Sequence, residues 1–468
     1  MTIVLAAGKG TRMSSSLPKV LHCLREKPLI RHTIDQARSV SSTGIIVVLG
    51  HQAKKVRSLL NMFDPDIEYV LQEPQLGTGH AVTQCLGRLE GFQGDVLVLS
   101  GDVPMLTPNT LEKLLYTNFE TEAALSILTS YPPDPVGYGR IIRDHAGFPT
   151  AIREQKDLLP GEEKIREINT GIYVFNAAFL TRELPLLSND NAQGEYYLTD
   201  LVEAAYRADK PIGVFSLEDP LEALGINTHS ELAEMEAVMR QNTLQKLMES
   251  GVRMIAPSTT YVDDTVTMEG DVTLHPMVCI YGATSVGAGT VIHPGAVITD
   301  SRIGKNVEIH PHSVISGSVI EDGATVGPFA RLRPEALIGR SAKIGNFVEV
   351  KKSRIGEGSK VSHLTYIGDS TLGNDVNIGA GSVTCNYDGF SKHPTVIEDG
   401  VFVGSGTMMV APVTLGKNSM VAAGSTITMD VPAEALALGR ARQENKEGWT
   451  IAWRRKAAQN KAVKKEKS

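Results

Sequence analysis

From about Val286 to Ile427 an aliphatic residue returns every six positions, occasionally five, and this beat restricts the fold more than anything else in the chain. It runs through Val286, Ile292, Ile298, Ile303, Ile309, Ile315, Ile320, Val326, Leu332, Ile338, Ile344, Val350, Ile355, Val361, Ile367, Leu372 and Ile378. After a break it resumes at Ile397, Val403, Met409, Leu415, Val421 and Ile427. Glycine often follows the aliphatic, as in Ile303-Gly304, Ile338-Gly339 and Ile355-Gly356. Neither the helical period nor the alternation of a strand sustains a repeat of six. Hexads with small turn residues predict a parallel β-helix, three hexads to a triangular coil, with the aliphatics stacked inward as ladders. An ordinary β-sandwich has nothing that enforces so regular a beat.

A chain of 468 residues has room for two or three domains. The net charge of −7 argues against a general nucleic-acid binder and leaves room for local basic pockets. Cys23, Cys85, Cys279 and Cys385 are scattered without metal-ligand spacing, which predicts reduced thiols. The apolar run Ile3 to Ala7 is too short for a signal sequence or a membrane span, and no longer run follows. The expectation is a soluble, cytoplasmic protein.

Residues 1–226 have a different grammar from the repeat. Apolar runs at Ile45 to Leu49, Val96 to Leu99 and Ile172 to Phe175 read as buried strands, with helical stretches such as Asn109 to Tyr116 and Leu198 to Ala208 between them. That alternation predicts an α/β domain with a mostly parallel sheet and helices on both faces. Residues 227–250 read as a linker helix, with Ser230 as N-cap and Gly251 as stop. The β-helix is expected over 251–435, with a weaker opening coil from about Tyr261 and an end near Val431-Pro432. A tail, 436–468, carries Trp449 and Trp453 and then a basic run. The tryptophans are expected to pack on the β-helix or on a neighbouring subunit, and the basic end to be solvated and mobile.

The segment Ile3 to Met13 is a strand running into Gly8-Lys9-Gly10, with Pro18-Lys19 shortly after. In an open α/β sheet, ligands bind at the carboxyl ends of strands. Glycines admit phosphate oxygens close to backbone N–H groups, and Arg12 and Lys19 supply positive charge. The spacing fits neither a Walker loop nor the dinucleotide G-x-G-x-x-G fingerprint. Alone, Gly-Lys-Gly reads equally as a tight turn.

The hexad beat also works as a ruler. Leu332 and Val350 are eighteen residues, one coil, apart, so Arg333 and Lys351 stack on adjacent coils. Neighbouring strands lie roughly 4.8 Å apart, and two cations so close are relieved by a bound anion or by pairing with Glu335 or Glu349. His363, on the next coil, sits where a histidine can serve as general base. The run Cys385 to Phe390 interrupts the repeat and reads as a functional loop.

Over its whole length the chain resembles the sugar-1-phosphate nucleotidyltransferases, and most closely the bifunctional bacterial N-acetylglucosamine-1-phosphate uridyltransferase/glucosamine-1-phosphate acetyltransferase family. The matching elements are Leu5 to Met13 with Leu17-Pro18-Lys19, Gln72, Gln75 to Ala81, Gly101 to Pro104 and Gly137 to Arg140. Glu154, Asn169-Thr170-Gly171, Gln193 to Tyr197 and Gly225-Ile226-Asn227 complete the set. The resemblance implies a Rossmann-like nucleotidyltransferase domain followed by a left-handed β-helix, assembled as a homotrimer. It implies that Leu5, Ala6, Gly8, Lys19, Gln72, Gly77 and Thr78 hold UTP, with Arg12 and Lys19 acting on the phosphates. Asp102 and Asn227 would hold Mg²⁺, which takes hard oxygen ligands. Gly139, Glu154, Asn169 and Asn227 would hold the acetylated sugar phosphate. Ser100 departs from the tyrosine some members carry, which removes any aromatic stacking there.

For the second half the resemblance implies that Arg333, Lys351, Tyr366 and Asn377 bind glucosamine 1-phosphate and that His363 is the base. Ala380, Asn386, Tyr387, Ser405, Ala423 and Arg440 would contact acetyl-CoA. The implied product is UDP-N-acetylglucosamine for cell-envelope polysaccharides. Two other readings stay open on the residues: a nucleotidyltransferase with a non-catalytic β-helix, and a scaffold with no activity. The first predicts no basic pair or histidine in the repeat, and the second predicts erosion of Arg12, Lys19, Asp102 and His363.

Overall fold

The structure, a computed structural model, describes residues 1–40 and 43–465. It separates into two compact units, Met1–Val238 and Met239–Ser468.

In the first unit a sheet runs in the order Ile212–Ser216, Leu125–Ser130, Ile168–Asn176, Asp95–Ser100, Thr2–Ala6, Ile45–Leu49, Glu68–Leu71. Only Ile168–Asn176 along this path is antiparallel to its neighbours, so the sheet is mostly parallel as expected. The central strands carry apolar runs, as at Ile3 to Ala6, Ile45 to Leu49 and Val96 to Leu99, because both faces are covered. Ile3, Val48 and Val98 pack with Ala81, Val82, Leu201 and Val202 on one face. Val4, Val47 and Leu99 pack with Ile30, Ile34, Leu111 and Leu114 on the other. The helix read over Asn109 to Tyr116 runs Pro108–Glu120, started by Thr107, whose hydroxyl accepts from the Thr110 N–H. Loops at the carboxyl ends of Thr2–Ala6 and Asp95–Ser100 carry Gly8 and Asp102.

The linker helix spans His229–Glu249. Its cap is Thr228, not Ser230. The Thr228 hydroxyl accepts from the Glu231 N–H at 3.1 Å, while Glu231 Oε2 accepts from the backbone N–H of Asn227 and of Thr228. This is a reciprocal capping box, a signature that a search for a lone serine passes over.

The second unit is a parallel β-helix, left-handed, of three stacked sheets with 11, 10 and 9 strands among the described residues. All the aliphatics of the beat are buried and belong to one continuous core. Two details were not in the beat. A small residue sits buried two positions before many of the aliphatics, as at Ala296, Ala324, Ala342, Ser359 and Ser419, while Val307, Val348, Val376 and Val401 take the same place before others. The ladder also does not stop at Ile378. Thr384 takes the inward position, fully buried, and its hydroxyl accepts from the Gly368 N–H at 2.8 Å. The glycine after the aliphatic has a steric cause: a Cβ on Gly356 would collide with the carbonyl oxygen of Gly373 in the next coil.

The β-helix opens at Arg253–Met254, earlier than Tyr261, and its last strand, Leu436–Ala437, lies beyond Val431. The tryptophans do not pack on it. They lie on the helix Trp449–Lys465, stacked on each other at 6.2 Å between ring centroids, and each is more than half exposed. The basic run beyond Arg455 continues this helix as far as Lys465, and the lysine-rich end at 466–468 falls outside the described residues. Among the described residues no helix is long and apolar enough to cross a membrane.

Candidate functional site

Leu5, Ala6, Gly8, Lys19, Gln72, Gly77 and Thr78, far apart in sequence, line one cleft of about 510 Å³ together with Asp102. The glycine loop has a local reason. Gly10 adopts φ +59°, and a Cβ there would strike the Lys19 side chain, so the loop can fold back against Lys19 only with glycine. Gln72 is buried and donates to the Gly77 carbonyl at 2.9 Å, fixing the turn before Thr78. Ser100 lines the same cleft, with no aromatic ring to offer.

The charged centre of the cleft is a cation held by two oxygens. Lys19 Nζ pairs with Asp102 Oδ2 and donates to Asn227 Oδ1 at 2.6 Å. Arg12 donates to the same Asn227 oxygen at 2.7 Å. Asn227 is oriented by its own amide, which donates to the Gly225 carbonyl at 3.2 Å. An anionic and a neutral oxygen already converge on one ammonium, so this pair fits a hard divalent cation.

Beside it, the Asn169 N–H donates to the Gly139 carbonyl at 2.9 Å, and the Asn169 amide donates to Tyr173 Oη at 2.7 Å. A Cβ on Gly139 would stand 3.5 Å from Glu154 Oε2, so Gly139, Glu154 and Asn169, the three residues expected on the sugar side, meet. Burial raises the Glu154 carboxyl above the usual range, with Asp157, Asp200 and Glu195 adding to it and a hydrogen bond from Thr199 opposing. Asp200, buried near Glu203 and Asp157, is pushed up to about 6. Arg140 is buried beneath them, donating to the Tyr138 carbonyl and at 3.2 Å to Gln155 Oε1, and so anchors the turn that presents Gly139.

In the β-helix, Leu332 pairs in register with Val350, which places Arg333 beside Lys351. Arg333 does pair with Glu349, at 3.0 Å. Lys351 does not, and among the described residues no carboxylate stands within ion-pair distance of it. The Lys351 ammonium is held below the usual lysine range chiefly by the close approach of Lys392, another donor with nothing to accept, and then by partial burial, with Arg333 adding to it and Asp369 opposing. Lys392 comes from the loop that interrupts the repeat. Sequence spacing could not place it there, because the loop leaves the hexad register.

His363 lies opposite Asn346 on adjacent strands, and its Nδ1 meets Asn346 Oδ1 at 2.7 Å. An amide oxygen only accepts, so Nδ1 carries a proton and, in the neutral tautomer, the lone pair is on Nε2. Asn346 was absent from the sequence reading, although the seventeen-residue offset to His363 would have found it. The Tyr366 phenol lies over Gly368, where a Cβ would strike both it and the Asn386 amide, and Asn386 donates to Asp369. Asn377 sits one coil beyond Lys360, between it and Phe402. From His363 a line climbs the coils. The Gly381 N–H donates to the His363 carbonyl, the Gly406 N–H to Ala380 and the Gly424 N–H to Ser405. Arg440 closes the line by donating to the Ala423 carbonyl at 2.9 Å. Tyr387 stands apart from it, exposed on the inserted loop with its hydroxyl donating to Gly389.

The fold and the two sites define a nucleotidyltransferase joined to a hexapeptide-repeat transferase in one chain. The MobA-like NTP transferase domain family matches residues 2–159, and the bacterial transferase hexapeptide (six repeats) family matches 300–334 and 394–428. "Bifunctional protein GlmU" of Geotalea daltonii is 48% identical over 96% of this chain and 98% of its own. The proteins of that name from Geobacter metallireducens and Brevibacillus brevis are each 46% identical, over 97% and 95% of this chain and 98% and 95% of theirs. The chain belongs to the bifunctional GlmU family.

Proposed function

We propose that the β-helix acetylates glucosamine 1-phosphate with acetyl-CoA, and that the N-terminal unit then joins the product to UMP from UTP, yielding UDP-N-acetylglucosamine. The observation that carries this reading is the pairing, within one chain, of two separately built sites. One has a cation between Asp102 and Asn227, and the other has Lys351 with Lys392 and Arg333 around it and, on the β-helix too, a histidine whose Nδ1 is engaged by Asn346.

In the β-helix, Arg333, Lys351 and Lys392 would take the sugar phosphate, which relieves their mutual repulsion. Tyr366, Asn377 and Asn386 would orient the sugar. His363 Nε2 removes a proton from the 2-amine as its nitrogen bonds to the thioester carbonyl carbon. The carbon–sulfur bond breaks, CoA leaves as thiolate, and the proton passes to it from the imidazolium. The edge Ala380, Ser405, Ala423 and Arg440 would carry the CoA chain, with Tyr387 over it.

In the first unit, Leu5, Ala6, Gly8, Gln72, Gly77 and Thr78 would seat the uridine nucleotide, and Gly139, Glu154 and Asn169 the sugar. A phosphate oxygen of the sugar attacks the α-phosphorus and pyrophosphate leaves. Such a step depends on positioning and charge stabilisation, with no protein nucleophile. Mg²⁺ bound between Asp102 and Asn227 would supply charge neutralisation at the phosphates. Lys19, released from Asp102, and Arg12 would then face the phosphates themselves. The apolar tryptophans of the terminal helix are best covered in a homotrimer of β-helices, and the substrates set the protein in the cytosol.

The test is a pair of assays on the purified chain: thiol release from acetyl-CoA with glucosamine 1-phosphate, and pyrophosphate release from UTP with N-acetylglucosamine 1-phosphate. Both products are expected. Absence of thiol release would leave only the nucleotidyltransferase with a passive β-helix.

A further inference from the structure

One column of the β-helix lies well before the proposed acetyl site and has no part in it. His275, His293 and His310 each follow an inward aliphatic, Leu274, Ile292 and Ile309, that pairs in register with the next. Their rings stack face to face, 4.8 Å and then 5.3 Å between centroids. Glu308 and His310 flank inward Ile309 at the end of the strand Glu308–Ile309, and their side chains meet outside it. Glu308 thereby joins the column. Its Oε1 lies 3.0 Å from His293 Nε2 and 3.8 Å from His310 Nδ1. Ligand atoms of all three residues lie within 4.8 Å of one another, and the three are partly or largely open to solvent.

We propose that His293, Glu308 and His310 form a binding site for a divalent late-transition-metal ion such as Zn²⁺. Two imidazole nitrogens and one carboxylate oxygen, with a fourth position for water, are a coordination set that zinc takes. Donor atoms about 2.0–2.1 Å from a tetrahedral zinc stand roughly 3.3 Å apart, between the 3.0 and 3.8 Å from Glu308 to the two histidines, and no pair of ligand atoms here exceeds 4.8 Å. The nitrogen-rich set selects against Mg²⁺, which prefers oxygen alone. Position 327, which follows the next inward aliphatic, has no side chain: a Cβ on Gly327 would strike Ser313 Oγ and come 3.1 Å from His310 Cβ, so the histidine column ends at His310. The bound ion ties two successive coils near the start of the β-helix, about 15 residues apart in sequence, and so acts as a clamp on that end of the solenoid.

The test uses the full chain, stripped with EDTA and then saturated with Mg²⁺ to fill oxygen-only sites. Zn²⁺ is titrated calorimetrically and Co²⁺ is followed by its visible spectrum. The expected result is one Zn²⁺ per chain, a Co²⁺ spectrum of low-coordinate imidazole ligation, and a higher thermal midpoint with Zn²⁺. His293→Ala/His310→Ala should lose the spectrum, weaken Zn²⁺ binding by about 100-fold or more and abolish the thermal shift. Glu308→Gln should weaken binding by about 10-fold. Both transfer activities should persist in these variants, which reports that they fold. If the double variant loses either activity, single His→Gln variants replace it and must lose the spectrum in the same way. No Zn²⁺ uptake by the parent, or equal uptake by parent and variants, would overturn the site and leave His293 and Glu308 an ordinary ion pair.

Discussion

In the N-terminal unit, Lys19 meets Asp102 and Asn227 across 83 and 208 residues of chain, while in the β-helix His363 meets Asn346 across 17. The first site is assembled by strand order, and the second by period. A contact in the sheet depends on which strands become neighbours, so no spacing within the chain announces it. A contact in the β-helix recurs at every coil, and naming one residue of a column names the rest. The proposed site in the solenoid therefore lies where the column carries charge, as at Arg333 and Lys351, and where the chain leaves the register, as in the loop bearing Lys392. The proposed site in the sheet lies where several loops end together.

This difference gives predictions of graded size. Ile344→Ala opens a cavity in a ladder with no room to collapse, and should destabilise the β-helix by about 2–5 kcal/mol, read as a lower denaturation midpoint. Equal loss in both units on chemical denaturation would mean that they unfold as one body. Asn346→Ala should lower kcat of acetyl transfer about 10- to 100-fold by freeing the His363 tautomer, with little change in KM and none in uridyl transfer. Asn346→Asp is the sharper control. A carboxylate there stabilises the imidazolium, so the acidic limb of the rate profile should move to higher pH. Lys392→Ala should raise KM for glucosamine 1-phosphate about 10-fold while leaving the acetyl-CoA KM unchanged, which tests whether the loop cation belongs to the phosphate site.

The smallest effect concerns pH. Asp200 titrates in the folded protein at about 6, above the usual aspartate value, so its contribution to stability is full at low pH and lost as pH rises through 6. Asp200→Asn should therefore gain thermal midpoint relative to the parent between pH 4 and 7, by a few degrees at most. A constant difference across that range would mean that burial does not govern Asp200.

The architecture was legible because the aliphatic beat is a direct record of burial. Its gap after Ile378 was misleading, since Thr384 keeps the inward position and satisfies its hydroxyl on the Gly368 N–H, which a hydrophobic count cannot see. The residues that line the N-terminal cleft could be named in the sequence before the cleft was seen. What was missing was whatever depends on partners: Lys392 on an irregular loop, Asn346 behind the histidine, and Thr228 as the true start of the helix. Of the two places expected for the tryptophans, the β-helix of the same chain is not the one they take, since their helix leaves them stacked on each other. The histidine column could have been read from the sequence, since Leu274-His275, Ile292-His293 and Ile309-His310 repeat the beat. Glu308 was the less visible member, being recognisable only once the outward face was known.

The central claim is that two independent centres share one chain, and a crossed substitution tests it most directly. His363→Ala and Asp102→Ala are each measured in both assays, thiol release and pyrophosphate release. The account predicts that His363→Ala loses acetyl transfer by roughly 1,000-fold and keeps uridyl transfer, and that Asp102→Ala does the reverse. Loss of both activities from either substitution, or undiminished thiol release from His363→Ala, would contradict it.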